Sequence, residues 1–230
     1  LHSLYMNGAR RGDAADDVSH LSPSVSVNWQ VLRNEQLYIR LSYKDIFRSP
    51  SFNELYYEHY GSTSLKPERT SQLNLGATWR RAYAKTSAFT LTADIYYNNV
   101  KDKIVAVPYN MFIWTNINMG RVRATGIDAT AGVTHSLSAR HTLIINGNYT
   151  MQHVRNRTHG DNNYGKQIAY TPKHSGALSV AWENPWVNIS ANGVAVSSRW
   201  PNNEHHQGTM LKGYSELGVT LYRDISWGKN

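Results

Sequence analysis

The sequence has 230 residues, 17% of them charged, a net charge of +8 and no cysteine. The lack of cysteine excludes disulfides and thiol chemistry, and no apolar run approaches the about 18 residues of a membrane-spanning helix. The 24 basic residues form no run of five or six, which argues against a nucleic-acid-binding protein. Neutral polar residues alternate with aliphatic and aromatic ones instead, a composition that suits a transmembrane β-barrel.

The predicted elements are β-strands, because apolar and polar residues alternate with a period of two. In the first strand, Val25, Val27 and Trp29 share one face, while serine and asparagine share the other. The same alternation recurs along the chain, and no segment has the pattern of a long amphipathic helix. We therefore predict an all-β antiparallel fold with nine strands, over residues 24–31, 37–44, 73–79, 89–98, 127–134, 142–150, 178–182, 187–192 and 217–221.

The predicted connections alternate between short turns and long loops. Short turns at one end and long loops at the other are typical of an outer-membrane barrel, whereas a soluble β-sandwich would lack this asymmetry. The short turns are predicted at 32–36, 80–87, 137–140 and 183–186, and the long loops at 1–20, 47–69, 99–121, 153–174 and 199–212.

Four tryptophans lie beside short turns or at the end of the last strand. An interfacial girdle of aromatic residues would lie there in a barrel, and ordinary core positions are the alternative. These residues are Trp79, Trp182, Trp186 and Trp227.

A sheet that spans a membrane must close on itself, because lipid offers no partner to an unpaired N–H or C=O group. Nine strands cannot close as a bacterial antiparallel barrel, which has an even number. The opening LHSLYMNGARRGDAADD also lacks the basic start, apolar core and cleavage site of a signal peptide. The strand count therefore predicts that the chain is part of a larger barrel. From its opening residues we expect either that a signal has been removed or that the chain is a piece of a longer protein.

Residues 47–57 read FRSPSFNELYY, and residues 61–76 read GSTSLKPERTSQLNLG. Together they resemble a hallmark of TonB-dependent outer-membrane receptors, in which an F-R-x-P box and an N-x-x-L-x-P-E box flank an extracellular loop. The second box departs from that pattern, since Ser62 and Ser64 stand where the family often has Asn and Pro. The stretches ADIYYNNVKDKI, ATGIDATAGV and YTPKHSGALSV are similar to the same family. The matching box positions are Phe47, Arg48, Pro50, Phe52, Glu54, Leu55, Tyr56, Gly61, Leu65, Pro67 and Glu68.

The resemblance implies a barrel of about 22 strands with a plugged lumen, in the outer membrane of a Gram-negative cell. Residues 1–230 would form the C-terminal portion of that barrel, without its plug and closing strands. The implied partners are the TonB complex, acting through the plug, a small-molecule nutrient chelate, membrane lipid and, as a further option, a surface lipoprotein. No resident cofactor or metal and no catalytic residue is implied. The short spacing within FRSPSFNELYY favours a corrinoid ligand, and a ferric siderophore or haem is the alternative.

The two boxes also make physical predictions. Pro50 and Pro67 each remove a backbone donor and bias the preceding residue towards extended geometry, so they should end strand pairing. Arg48 and Glu68 lie at the two ends of the loop, and we expect them to pair across neighbouring strands.

Aromatic and histidine residues in the predicted loops are candidates for binding a large planar or amphipathic ligand. Girdle or loop-packing roles fit the aromatic residues equally well. In a haem receptor of this family His59 would be an axial ligand, although a polar loop role is favoured for one histidine in a short spacer. The candidates are Tyr56, Tyr57, His59, Tyr60, Tyr109, Trp114, Tyr164, Tyr170, Trp200, His205 and His206.

Two further loop patterns have competing interpretations. NEHHQG at 203–208 contains metal-ligand types, but adjacent residues rarely converge on one ion, so a solvated loop is favoured. A basic stretch suits an anionic ligand or lipopolysaccharide phosphates, and a generic solvated face is again favoured. Its residues are Arg155, Arg157, His159, Lys166 and Lys173.

Two other classes of protein remain as rivals. A barrel enzyme needs inward carboxylate–His or Ser–His pairs near its rim, but only Asp94 and Asp128 are predicted to point inward, and no G-x-S-x-G, H-E-x-x-H or P-loop motif occurs. A soluble β-sheet binding protein would instead pack the Leu, Val and Trp rows together inside.

Overall fold

The computed structural model describes residues 19–32, 36–57, 61–108, 114–206 and 208–223. These residues form one antiparallel sheet of nine strands in chain order, which confirms the predicted all-β fold. Among them, no helix is both long and apolar enough to cross a bilayer. The elements are β1 (Ser24–Leu32), β2 (Leu37–Arg48), α1 (Phe52–Tyr56), β3 (Glu68–Ala84), β4 (Ser87–Pro108), β5 (Trp114–Ser138), β6 (His141–Asn156), β7 (His174–Glu183), β8 (Asn188–Val196) and β9 (Tyr214–Tyr222).

The register of the sheet aligns residues of similar character in rows across the strands. Because side chains alternate between the two faces of a sheet, rows two residues apart lie on the same face. One row, on six adjacent strands, consists of Val27, Leu41, Leu75, Ile95, Ile127 and Met151. We call the face that carries this row the apolar face, and the opposite face the polar face.

The apolar face lies on the surface. Val27 is 60% exposed, Leu41 50% and Ile95 54%, so this row does not pack against a second layer of the described structure. The compact body with Leu, Val and Trp rows inside, which the soluble alternative requires, is therefore not what these residues form. A face of this kind suits contact with an apolar medium.

The polar face carries a row of charged and hydroxyl side chains at mid-height. Arg40, Gly76, Asp94, Asp128 and Thr150 are aligned on five adjacent strands. Arg40 Nη2 donates a hydrogen bond to Asp94 Oδ1 at 2.7 Å, and Thr150 Oγ1 donates one to Asp128 Oδ1 at 2.7 Å. Asp94 and Asp128, which were predicted to point inward, therefore lie together on the polar face.

The two ends of the sheet differ in their connections. At one end, the short-turn end, β3 and β4 are joined by residues 85–86 and β5 and β6 by residues 139–140. At the other end, the long-loop end, residues 49–67, 157–173 and 197–213 join successive strands. The predicted alternation of short and long connections is therefore confirmed at these positions.

One predicted loop is wrong in extent. Most of residues 99–121 is strand, because β4 continues to Pro108 and β5 begins at Trp114, with the two residues paired. A long hairpin consequently rises at the long-loop end in place of an irregular loop. The turn predicted at 80–87 is likewise shorter, since β3 continues to Ala84.

The buried hydrophobic side chains of the described residues lie at the long-loop end, where loops fold onto the strands. They form two clusters, Leu55, Leu65 and Ile104 in one and Met119, Val122 and Ile168 in the other.

Three of the tryptophans near short turns are not core residues. Trp182 and Trp186 are 36% and 64% exposed, and Trp79 is half-buried, with its ring centroid 4.7 Å from that of Phe89. Trp227 lies outside the described residues.

Candidate ligand-binding end of the sheet

The loop between β2 and β3 is fastened at its base by one arginine. Arg48 Nε donates to Glu68 Oε2 at 2.8 Å, and Arg48 Nη1 donates to Glu54 Oε2 at 2.9 Å. The predicted cross-strand pair of Arg48 and Glu68 is therefore confirmed, and Glu54 is a second acceptor that the sequence analysis did not foresee. We call these three residues the Arg48 clamp.

The clamp changes the pKa of each of its members. Burial raises the pKa of Glu68, but hydrogen bonds from Arg48 and the Ile104 backbone outweigh it, so that the net pKa lies below the ordinary 4.5. For Glu54 burial is likewise outweighed, by hydrogen bonds from Arg48 and Ser51, and its pKa is also lowered. The hydrogen bond to Glu68 is the main cause that raises the pKa of Arg48. All three groups are therefore charged at neutral pH.

The helix α1 begins at Phe52, with Ser51 as its N-cap directly after Pro50, and is stabilised by a capping box. Ser51 Oγ accepts a hydrogen bond from Glu54 N at 3.3 Å, and Ser51 N donates to Glu54 Oε2 at 2.7 Å. Glu54 therefore caps the helix and completes the clamp with one carboxylate. Leu55, on the same turn, is 1% exposed and packs against Leu65 and Ile104.

The same loop is tied to the hairpin of β4 and β5. Asn118 exchanges two hydrogen bonds with the backbone of Lys66, at 2.7 and 2.8 Å, and donates a third to Asp102 O at 2.7 Å. Gly61 lies against the end of α1, where an added Cβ would lie 2.6 Å from Tyr57 N, which leaves no room for a side chain. The loop is thus a packed unit attached to two strands.

The loops 157–173 and 197–213, which we call the paired loops, are joined to each other. Tyr170 N donates to Trp200 O at 2.7 Å, and Lys166 Nζ donates to Glu204 O at 2.9 Å. His205 stacks on Trp200 with ring centroids 4.5 Å apart, and its Nε2 lies 2.7 Å from the Gln167 carbonyl oxygen. Main-chain and side-chain contacts therefore hold two connections that are far apart in sequence as one body.

Basic and aromatic side chains meet on the first of the paired loops. His159 stacks on Tyr164 at 5.6 Å, and the Arg157 guanidinium lies 5.5 Å from the centre of the same ring. Arg157 Nε is buried and has no hydrogen-bond partner among the described residues, while Tyr164 is 47% exposed. We call Arg157, His159 and Tyr164 the Tyr164 cluster. It presents positive charge and an aromatic face together.

The structure treats the predicted loop residues unequally. Tyr56 packs against the cluster of Leu55, and Tyr57 is 45% exposed at the end of α1. Trp200 and His205 stack on each other, whereas His206 pairs with Glu204 at the surface. The remaining candidates, His59, Tyr60, Tyr109 and the side chain of Trp114, lie outside the described residues.

The possible metal site at NEHHQG is not assembled by the described residues. Within the part of the chain that the structure describes, no three His, Asp or Glu side chains are placed to hold one ion. His205 turns towards the Gln167 carbonyl and His206 towards Glu204, so the two histidines have different neighbours. This segment is part of the loop 197–213, and His205 contacts the loop 157–173 from it.

Sequence reasoning missed several residues that build this end of the sheet. Asn116 is 5% exposed and Asn156 is 1% exposed, and both make side-chain hydrogen bonds within or onto loops. Gln167, 6% exposed, accepts from Val154 N. Only the capping box at Ser51 had a readable signal, the S-x-x-E spacing. Asn116 leaves no pattern because its partner, Glu54 O, is 62 residues away, and the nearer partners of Asn156 and Gln167 lie in a loop whose course no residue pattern specifies.

Comparisons with solved structures agree on the fold. The copper transporter OprC aligns with 86% of this chain and 30% of its own length, at 15% identity and a TM-score of 0.64. The ferric-catecholate import receptor Fiu of E. coli K12 aligns over 87% and 28%, at 17% identity and a TM-score of 0.60. The ferric yersiniabactin uptake receptor FyuA of Yersinia pestis aligns over 86% and 29%, at 15% identity and a TM-score of 0.58. The chain thus spans about a third of the length of the structures that it matches.

Sequence comparison identifies the family. No protein of curated function matches the chain. Residues 4–230, however, match the family described as TonB dependent receptor-like, beta-barrel. The match covers nearly the whole sequence, and the nine-stranded sheet with its exposed apolar face has the form that such a barrel requires. The chain belongs to the TonB-dependent receptor β-barrel family.

Proposed function

We propose that this chain is part of the barrel of an outer-membrane receptor that imports a scarce, bulky metal chelate with energy from the TonB complex. The observation that carries the proposal is the two-faced sheet, whose apolar face suits lipid and whose polar face suits a lumen, in a chain of this family. The complete receptor would have about 22 strands and a plug, through which the TonB complex acts. In this role the chain binds and guides its ligand and makes or breaks no covalent bond.

The polar face suits a passage for a hydrophilic cargo. It offers carboxylate, amide and phenol groups in one patch, with Asp94 and Asp128 adjacent on neighbouring strands. Groups of this kind hydrogen-bond to water, to a plug or to a cargo without an apolar barrier between them. The lining side chains of the patch are Gln72, Asn74, Asp94, Tyr96, Asn98, Asp128 and Gln152.

The ligand that suits the long-loop end best is an anionic aromatic chelate. The Tyr164 cluster combines an exposed phenol ring with two basic side chains, one of which has an unpaired buried N–H group. Aromatic faces bind planar rings, and guanidinium groups bind anionic oxygens. A ferric catecholate has both features, and Fiu is named as a ferric-catecholate receptor.

The corrinoid preference that the short spacing of FRSPSFNELYY suggested is weakened by the role of that segment. Glu54 serves the Arg48 clamp and Leu55 fills a buried cluster, so the spacing is explained by the anchoring of a loop. The similar solved structures are described as handling copper and ferric chelates. We therefore place a ferric siderophore first and a corrinoid or haem second.

The proposal is tested with the full-length receptor that contains this chain, purified in detergent. Tryptophan fluorescence is titrated with a ferric catecholate, a ferric hydroxamate, haem, cyanocobalamin and copper(II). We expect the ferric catecholate to bind most tightly and to lose affinity about tenfold in Tyr164→Ala, which removes one aromatic contact. Tyr222→Ala is the control, since Tyr222 is 46% exposed at the short-turn end.

Uptake of the preferred chelate in cells with and without a functional TonB protein completes the test. Uptake that persists without TonB, or tighter binding of cyanocobalamin than of every iron chelate, would contradict the energy source or the ligand class, respectively.

A further inference from the structure

Five basic side chains lie close together on the apolar side of the sheet, near the long-loop end. The register places Arg69, Lys101 and Arg121 in one row on β3, β4 and β5, and Arg123 and Arg155 in the adjoining row on β5 and β6. By the alternation of strand residues, both rows face the same way as Leu73 and Leu75. We call these five residues the basic belt.

The position of the belt is defined by the rows beneath it. The row directly below contains Tyr43, Leu73 and Tyr97, and the next row down is the fully apolar one that begins at Val27. Two residues along a strand rise about 7 Å, so the belt begins just above the last aliphatic and aromatic side chains. Arg123 lies over the Tyr97 ring at 5.4 Å, which links the belt to that aromatic row. In a membrane, the apolar row would lie among the lipid acyl chains, the row of Tyr43, Leu73 and Tyr97 at the interface, and the belt at the headgroups.

The like charges of the belt are not neutralised by the described part of the protein. Arg69 and Arg121 are the direct cross-strand neighbours of Lys101, and Arg123 is the neighbour of Arg155. Like charges directly opposite each other destabilise a sheet. None of the five forms an ion pair among the described residues. Asp45, an acid on the same face, pairs with His20 instead. This group of cations would therefore be stabilised by an anion that is not part of the described protein.

We propose that the basic belt binds the phosphate groups of the outer-leaflet lipid, such as those of lipid A. Arginine is suited to this role because its planar guanidinium offers paired donors that match phosphate oxygens. Arg69, Lys101, Arg121 and Arg155 are exposed and so are open to a headgroup. The bound phosphates relieve the repulsion between neighbouring strands, and the belt thereby fixes the height of the barrel in the membrane. The inference rests on the proposed outer-membrane location.

The test uses the full-length receptor in a nonionic detergent at low salt, titrated with fluorescent bisphosphorylated lipid A. The triple variant Arg69→Gln, Lys101→Gln, Arg121→Gln should bind this lipid more weakly, by about fivefold for each charge removed. The matched control is Lys85→Gln, Arg140→Gln, Arg223→Gln, which removes the same charge from exposed positions at the short-turn end and should bind normally. Lipid A without phosphates should bind both variants and the wild type equally weakly.

Equal affinity of the belt and control variants for the phosphorylated lipid would overturn the inference, as would tight binding of the dephosphorylated lipid to the wild type. If the triple variant fails to fold, Lys101→Gln alone is compared with Lys85→Gln in the same titration. The lipid titration requires no nutrient, whereas the chelate titration requires no lipid A. A failure of the belt is therefore distinguishable from a failure of the transport proposal.

Discussion

Arg48 Nε donates a hydrogen bond to Glu68 Oε2 at 2.8 Å, and this contact joins the last residue of β2 to the first residue of β3. The two residues are also register partners, so the ion pair is the final rung of the strand pairing. Beyond it, Pro50 and Pro67 lie outside the strands, as the missing N–H group of proline favours. The clamp thus marks the point where regular sheet ends and the packed loop begins.

Removal of the clamp arginine should loosen the loop without unfolding the sheet. In Arg48→Gln the loop 49–67 loses three charge-assisted hydrogen bonds, but Arg48 is 43% exposed and solvent compensates for part of the loss. We expect the local free energy of opening to fall by about 1 kcal/mol. Hydrogen–deuterium exchange of the full-length receptor should show faster exchange in residues 49–67 only. Lys85→Gln, at an exposed position of the short-turn end, is the control, and equal exchange in both variants would contradict the role of the clamp.

The stability of the same loop should depend on pH. The pKa values of Glu54 and Glu68 are lowered in the folded protein below the ordinary 4.5. A lowered pKa means that the carboxylates stabilise the loop above pH 4.5, and that this contribution is lost as the pH falls through their folded values. Exchange in 49–67 should therefore accelerate below about pH 4.5 in the wild type, relative to a strand segment such as 142–150. In Arg48→Gln this extra pH dependence should be much reduced, and an unchanged dependence would contradict the assignment.

The strands could be predicted from sequence because their two faces meet different environments, which imposes a period of two. The top of β4 escaped prediction for a physical reason. Val100 and Val105 pack in the same cluster although they are five positions apart, an odd offset that would place them on opposite faces of a regular strand, and Asp102 between them has a φ of +54°. This irregularity moves side chains to the opposite face, so the alternation is interrupted and the segment resembles a loop.

The arrangement of the loops was beyond sequence reasoning. The paired loops are joined through main-chain groups, as in the bond from Tyr170 N to Trp200 O, and such bonds leave no mark on residue type. Glu54 illustrates the intermediate case. Its spacing from Ser51 predicts a helix cap, but its hydrogen bond to Arg48 depends on the position of the helix relative to β2, which the spacing does not specify.

His205 should hold the paired loops together, whereas its neighbour His206 should not. His205→Asn keeps a residue that tolerates the positive φ of 57° but removes the stack on Trp200 and the contact with Gln167 O. One aromatic stack and one hydrogen bond are together worth about 1–3 kcal/mol. Limited proteolysis should cut both 157–173 and 197–213 faster in this variant. His206→Asn should resemble the wild type, and cleavage confined to one loop in His205→Asn would argue against a joint body.

Gly76 should be required for the bond between Arg40 and Asp94. A Cβ at this position would lie 2.1 Å from Asp94 Oδ1 and 3.1 Å from Arg40 Nη2, so Gly76→Ala pushes the two side chains apart. The glycine therefore lets charged groups on β2 and β4 meet over the strand between them. We expect Gly76→Ala to lower the free energy of unfolding by about 1–2 kcal/mol, as measured by denaturant unfolding of the full-length receptor.

Gly218 provides the matched control for this substitution. It also lies within a strand on the polar face, but a Cβ added there would have no neighbouring atom within 4 Å, so Gly218→Ala should be neutral or slightly stabilising. The double variant Gly76→Ala, Asp94→Ala removes the clashing carboxylate, and its loss should be smaller than the sum of the two single losses. If instead the losses of Gly76→Ala and Asp94→Ala simply add, the glycine acts through the backbone, and the bridge between β2 and β4 does not depend on the space that it leaves.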